Sequence, residues 1–83
     1  IIFGIMTDET NKIHIKIGLK IKLERAKRKL SQEKLAELAD LSKTHVGDIE
    51  RGTTIPTIET LNRIANALDI TLVELVDVSK VDL

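Results

Sequence analysis

Apolar residues recur at helical spacing along most of this chain, in short runs separated by polar breaks. Leu35, Ala36, Leu38 and Ala39 share one face of a helix running from Gln32 to about Ala39. Asp40 and Leu41 break the pattern, and Ser42 is placed to cap a second short helix from Lys43 to about Arg51. Val46, Ile49 and Glu50 fall on its inner face, and Lys43, Thr44, Gly47 and Asp48 on its outer face. Gly52 suits a left-handed cap, and Pro56 prevents continuation into the next element. Thr57 then caps a helix whose core face is Ile58, Leu61, Ile64, Ala65 and Leu68. Thr71 and Glu74 have capping-box spacing and open a short helix from about Leu72 to Val76.

The first third reads less cleanly. Ile13, Ile15 and Ile17 alternate, which is a strand signal, while Ile13, Ile17 and Ile21 also recur every four residues. The helical reading places a helix from near Ile13 to about Lys29, with Asp8, Glu9, Thr10 and Asn11 as acidic and capping groups before it. The other reading pairs residues 1–6 with 13–17 as a hairpin, or with a second subunit. Ile1, Ile2, Phe3, Ile5 and Met6 need burial somewhere, and residues 7–12 look turn-like. Met6 also offers an alternative start. The expected organisation is an apolar N-terminal extension over 1–12, a helical domain over 13–76 and a frayed tail over 77–83.

Two short helices joined at a steep angle by a turn of three to four residues form a helix-turn-helix, here residues 32–51, whose second helix can enter a DNA major groove. The net charge of zero argues against nucleic acid, but the distribution does not. Residues 12–54 carry 11 Lys/Arg against 6 Asp/Glu, while residues 1–11 carry −2 and residues 55–83 carry −3. The local field around the motif is therefore basic, and the local field steers a ligand. There is no cysteine, and His14 and His45 lack the partners of a zinc motif, so no metal or cofactor is expected. No apolar run approaches the roughly 20 residues of a membrane span, and the opening IIFGIM is a poor signal peptide, so a cytoplasmic location is expected. No nucleophile–base pair, phosphate loop or paired catalytic carboxylates suggest an enzyme.

The segments Leu30–Ala36 (LSQEKLA), Leu41-Ser42-Lys43, Ile49–Gly52 (IERG) and Pro56–Leu61 (PTIETL) occur in order at a spacing that resembles the Xre or lambda-repressor-like helix-turn-helix family. The resemblance covers roughly residues 17–76. It implies an all-α, compact five-helix domain that binds operator DNA, usually as a dimer. It also implies a buried ion pair between Arg25 and Glu50, and base-edge contacts by Lys43, Thr44 and Asp48. Lysine can donate to guanine, Thr44 can bond a base or place its methyl against thymine, and Asp48 can accept from cytosine N4. Gln32 matches a position that binds a backbone phosphate and braces the recognition helix. Thr53 and Thr54 match a phosphate-contact loop, and Gly47 would allow close approach to the DNA backbone.

Three residues, Lys29, Asp40 and Asp69, stand where relatives often carry glycine, and Glu24 replaces a position commonly small or apolar. The expected function is a sequence-specific regulator of transcription, a repressor binding a pseudo-palindrome as a homodimer with recognition helices about 34 Å apart. Val73, Val76, Val78 and Val81 are available for the dimer face. The competing reading is an antitoxin-type module that binds a partner toxin and its own operator, using the apolar residues 1–6 and 72–83.

Overall fold

Ser31, Ser42, Thr57 and Thr71 set where the chain turns into helix. Each has extended backbone, and each side-chain oxygen accepts from the amide three residues on, at 3.0 Å for Lys34 and His45 and 3.1 Å for Thr60 and Glu74. One otherwise unpaired donor of each helix start is thereby satisfied. In the computed structural model, which describes the backbone of residues 2–81 and the side chains of residues 13–81, these caps begin α2 (Gln32–Ala39), α3 (Lys43–Arg51), α4 (Ile58–Ala67) and α5 (Leu72–Val76). They are preceded by α1 (Ile2–Lys27), and the described residues contain no strand. None of their helices is long and apolar enough to cross a membrane.

Every helix contributes to one core. Ile17 and Ile21 of α1, Leu35, Ala36 and Ala39 of α2, and Val46 and Ile49 of α3 meet Leu61, Ile64 and Ala65 of α4 and Leu75 of α5. Small Ala36 is 2% exposed within that core, where a short side chain lets α2 lie close to its neighbours. The helical period of α1 prevails over the alternation because only Ile17 is buried, at 8% exposure, while Ile13 and Ile15 remain 40% and 36% exposed. A strand would have placed all three on one face. The helix therefore begins at Ile2 instead of Ile13 and ends at Lys27 instead of Lys29, and both the hairpin and the turn over 7–12 are replaced by helix. Where the apolar side chains of residues 1–6 are buried lies outside the described residues.

Two expected core residues are exposed. Leu38 is 50% exposed, one position outside the stripe of Leu35, Ala36 and Ala39 that α2 buries. Ile58 is 73% exposed because it lies in the first turn of α4, before Leu61, the first residue of that helix in the core. The valines of the C-terminal segment also divide. Val73 is exposed, whereas Val76 and Val78 pack against the core. The segment after α5 is held by Lys20, whose Nζ donates to the carbonyls of Glu74 and Asp77, both at 3.1 Å.

Glu24 is nearly covered, at 8% exposure, and is satisfied by residues at and just beyond the end of α1. It accepts from Lys27 Nζ at 3.0 Å and from Arg28 Nη1 at 2.9 Å. The hydrogen bond from Lys27 holds its carboxyl below the usual carboxylate range, against the opposing effect of burial, with Arg28 adding to the lowering.

The turns after α1, α2 and α4 are left-handed at Lys29 (φ 56°), Asp40 (φ 57°) and Asp69 (φ 59°). These are the positions where the family resemblance expects glycine. Aspartate tolerates this conformation better than lysine does. Lys29→Gly is therefore expected to stabilise the domain by about 0.5–1 kcal/mol, the relief of left-handed strain less the extra chain entropy of glycine. A urea midpoint unchanged or lowered by the substitution would contradict this.

Candidate nucleic-acid interface

The outer face of α3 is available because its inner face is held by α1 and α2. Val46 and Ile49 are fully buried in the core, and Glu50 is 6% exposed. Arg25 of α1 meets the Glu50 carboxylate with both arms of its fork, Nε to Oε2 at 2.8 Å and Nη2 to Oε1 at 3.0 Å. Its remaining nitrogen, Nη1, donates to the Leu30 carbonyl at 2.8 Å. Gln32, the first residue of α2, donates its amide to Glu50 Oε1 at 3.0 Å. Glu50 thus ties α3 to α1 and to the start of α2. The hydrogen bonds it donates to Glu50 raise the Arg25 pKa above its ordinary value, so the guanidinium stays charged despite partial burial.

Backbone contact completes the support. A Cβ on Gly18 would lie 2.3 Å from the Ile49 carbonyl oxygen and 2.9 Å from that of Glu50, so α1 touches the end of α3 backbone to backbone. One turn earlier in α1, His14 Nε2 lies 3.2 Å from the Gly52 carbonyl oxygen. Gly52 itself takes the left-handed C-cap of α3, with φ 74° and its N–H directed to the Asp48 and Ile49 carbonyls. A Cβ there would also meet Ile15 Cγ1 at 2.9 Å.

With its inner side fixed, α3 presents Lys43 and Thr44 in its first turn, both exposed. Asp48 lies one turn after Thr44 and is partly exposed. Its carboxylate is ion-paired with Arg51, through Oδ1 and Nη2. Gly47, expected to lie open toward DNA, is instead buried, because the Arg51 guanidinium lies across it. The resemblance places Gln32 at a phosphate and as a brace for α3; its amide donates to Glu50, which is the bracing contact. Thr53 has likewise committed its donors. Its hydroxyl and its N–H both reach the Asp48 carbonyl, at 3.1 and 3.0 Å, and close the end of α3. Thr54 is partly exposed in the loop beyond.

A family model described as helix-turn-helix, HTH_3, matches residues 21–75, which include α2 through nearly all of α5 and the part of α1 that holds Arg25. The chain belongs to the HTH_3 helix-turn-helix family. The immunity repressor protein of Bacillus phage phi105 is 46% identical to it over 54 residues, 65% of this chain and 38% of that protein. The match thus spans well under half of the phage repressor. Control protein C.BamHI of Bacillus amyloliquefaciens is 39% identical over 69 residues, 82% of this chain and 85% of that protein. The crystal structure of the restriction-modification controller protein C.AhdI from Aeromonas hydrophila matches with a TM-score of 0.73 at 37% identity, covering 75% of this chain and 94% of that one. None of these three names is that of an enzyme.

For an HTH_3 chain, three features of this interface stand out beyond the motif residues. Gly18 sets the distance between α1 and α3, His14 reaches the C-terminal cap of α3, and Arg51 covers its middle. Gly18 had a signal in the sequence, a lone glycine inside a helical pattern, which marks close packing as often as a break. The His14 contact spans 38 residues and follows from no local pattern. Arg51 is four residues after Gly47 and three after Asp48, a spacing that places all three on one face.

Proposed function

We propose that this DNA-binding transcriptional regulator is a sequence-specific repressor that binds a pseudo-palindromic operator as a homodimer, with α3 in the major groove. The observation that carries the reading is the division of α3. Its inner face is locked by Arg25, Gln32 and Gly18, and its outer face leaves Lys43 and Thr44 free at the end that enters a groove first. Lys43 supplies a donor for guanine, and Thr44 a hydroxyl or methyl for a base edge. Asp48 takes part through the pair it forms with Arg51. Gln32 retains a second amide hydrogen for a backbone phosphate, beside the start of α2, and Thr54 lies in a loop suited to the same backbone. The names of the phage immunity repressor and of the controller proteins support a regulatory role.

The apolar side chains Ile55, Ile58 and Val73 are 73%, 73% and 75% exposed, and they are available to a subunit contact. The same side chains would serve a partner protein if the chain is an antitoxin-type module. Co-purification of a neighbouring gene's product would favour that second reading, and the measured mass in solution tests the homodimer directly.

Selection from random duplex DNA is expected to enrich a two-fold symmetric site with half-sites about 10 base pairs apart, centre to centre. Thr44→Ala is expected to relax preference at one base pair of each half-site by roughly fivefold or more. No enriched site, or equal weakening on all sequences by Thr44→Ala, would sink readout by this face.

A further inference from the structure

Thr44, Gly47, Asp48 and Arg51 form one stripe along the outer face of α3, at i, i+3, i+4 and i+7. Long helical side chains lean toward the helix N-terminus, so Arg51 covers the turn before its own Cα. That turn is occupied by Gly47. A Cβ at position 47 would lie 3.0 Å from Arg51 Nη1, 3.6 Å from Nη2 and 3.7 Å from Cζ. The missing side chain is therefore what admits the guanidinium to the helix surface. Asp48 then fixes its orientation by accepting from Nη2. A charge attached at the last residue of α3 is thus delivered to the middle of the face that holds Thr44, and the Arg51 side chain is still 60% exposed.

The geometry points to Arg51 as a further specificity-determining residue of the DNA-reading face, oriented by Asp48 and admitted by Gly47, with a guanine edge in the major groove as its target. This rests on the DNA-binding reading above and adds to it a residue and a base. A guanidinium has five N–H donors in a planar fork, and the bond to Asp48 uses one of them. Those that remain can reach guanine O6 and N7 together, the commonest specific contact of arginine with DNA. The pairing also resolves a difficulty with Asp48. A bare carboxylate beside phosphates repels them, whereas one neutralised by Arg51 does not, and its role becomes that of a positioning residue. A side chain at position 47 would displace the guanidinium rather than the helix, because the neighbour it meets is the end of a flexible chain.

The test compares sites selected from random duplex DNA by the wild-type protein and by Arg51→Ala, Arg51→Lys, Asp48→Asn and Gly47→Ala, with affinity measured against salt. The expected result is a guanine in the wild-type half-site whose preference falls roughly tenfold in Arg51→Ala, with the slope of affinity against salt nearly unchanged. Arg51→Lys, which keeps the charge and loses the fork, is expected to bind almost as tightly and still lose much of that preference. Asp48→Asn and Gly47→Ala are expected to weaken preference at the same base pair, and to have no such effect once Arg51 is alanine. Equal weakening on every sequence by Arg51→Ala, with a salt slope reduced by about one, would make Arg51 a phosphate contact and overturn the inference while the wild-type site still stood. Effects of Asp48→Asn that persist unchanged without Arg51 would overturn the positioning role. A wild-type protein that selects no site would overturn this inference and the proposed function together. Circular dichroism on each variant separates loss of readout from loss of fold.

Discussion

Gly18→Ala is expected to destabilise the domain by about 3 kcal/mol, the upper end of what overpacking usually costs. The new Cβ would stand 2.3 Å from the Ile49 carbonyl oxygen and 2.9 Å from that of Glu50. Both are backbone atoms near the end of α3, so no rotamer change relieves the contact, and α1 must move away from α3. Alanine would gain about 1 kcal/mol of helix propensity over glycine, and this is too little to offset the overlap. A domain of this size has only about 4–12 kcal/mol of total stability, so the loss is a large share of it. The melting temperature is expected to fall by roughly 10 °C or more. An alanine variant that melts at or above the wild-type temperature would show that α1 and α3 do not approach this closely. Gly47 provides the contrast, since a Cβ there meets only the mobile end of Arg51.

The second large effect is expected at the Arg25–Glu50 pair. The Glu50 side chain is 3% exposed and that of Arg25 16%. Arg25→Ala strands the carboxylate with the Gln32 amide as its remaining side-chain donor, and the expected cost is about 3–5 kcal/mol. Most of that cost is the uncompensated charge and not the worth of the pair. Replacing both partners by apolar residues of similar size is therefore expected to recover most of the lost stability. Urea denaturation of the two single variants and the double variant forms the cycle. Additive losses, with no recovery in the double variant, would show that the two groups do not depend on each other.

Features with a local cause were legible in the sequence. The starts of α2 to α5 follow from Ser31, Ser42, Thr57 and Thr71, because a cap acts within its own turn. The left-handed turns at Lys29, Asp40 and Asp69 coincide with three departures from the family pattern. Features that depend on how far a neighbour extends were not legible. Leu38 and Ile58 have the right period, but the width and length of a buried stripe are decided by the surface opposite. The start of α1 was ambiguous because isoleucines spaced by two are also spaced by four. At the candidate site, the pairing of Arg25 with Glu50 came from family resemblance, and the structure adds Gln32 to it. The occupation of Gly47 and Asp48 by Arg51 depends on a side-chain rotamer, which no spacing rule specifies.

The separation of the two faces of α3 also bears on how such a chain can diverge. Arg25, Gln32 and Gly18 secure the helix from behind, through Glu50 and Ile49, while Lys43 and Thr44 lie exposed in front. Exposed substitutions away from caps and buried pairs usually change stability by about 0.5 kcal/mol or less. On the proposed readout, a lineage can therefore exchange the residues at positions 43 and 44, and acquire a new operator, without first accumulating compensating changes in the core. Position 51 is less free, because its side chain, the acid at 48 and the missing side chain at 47 would have to change together.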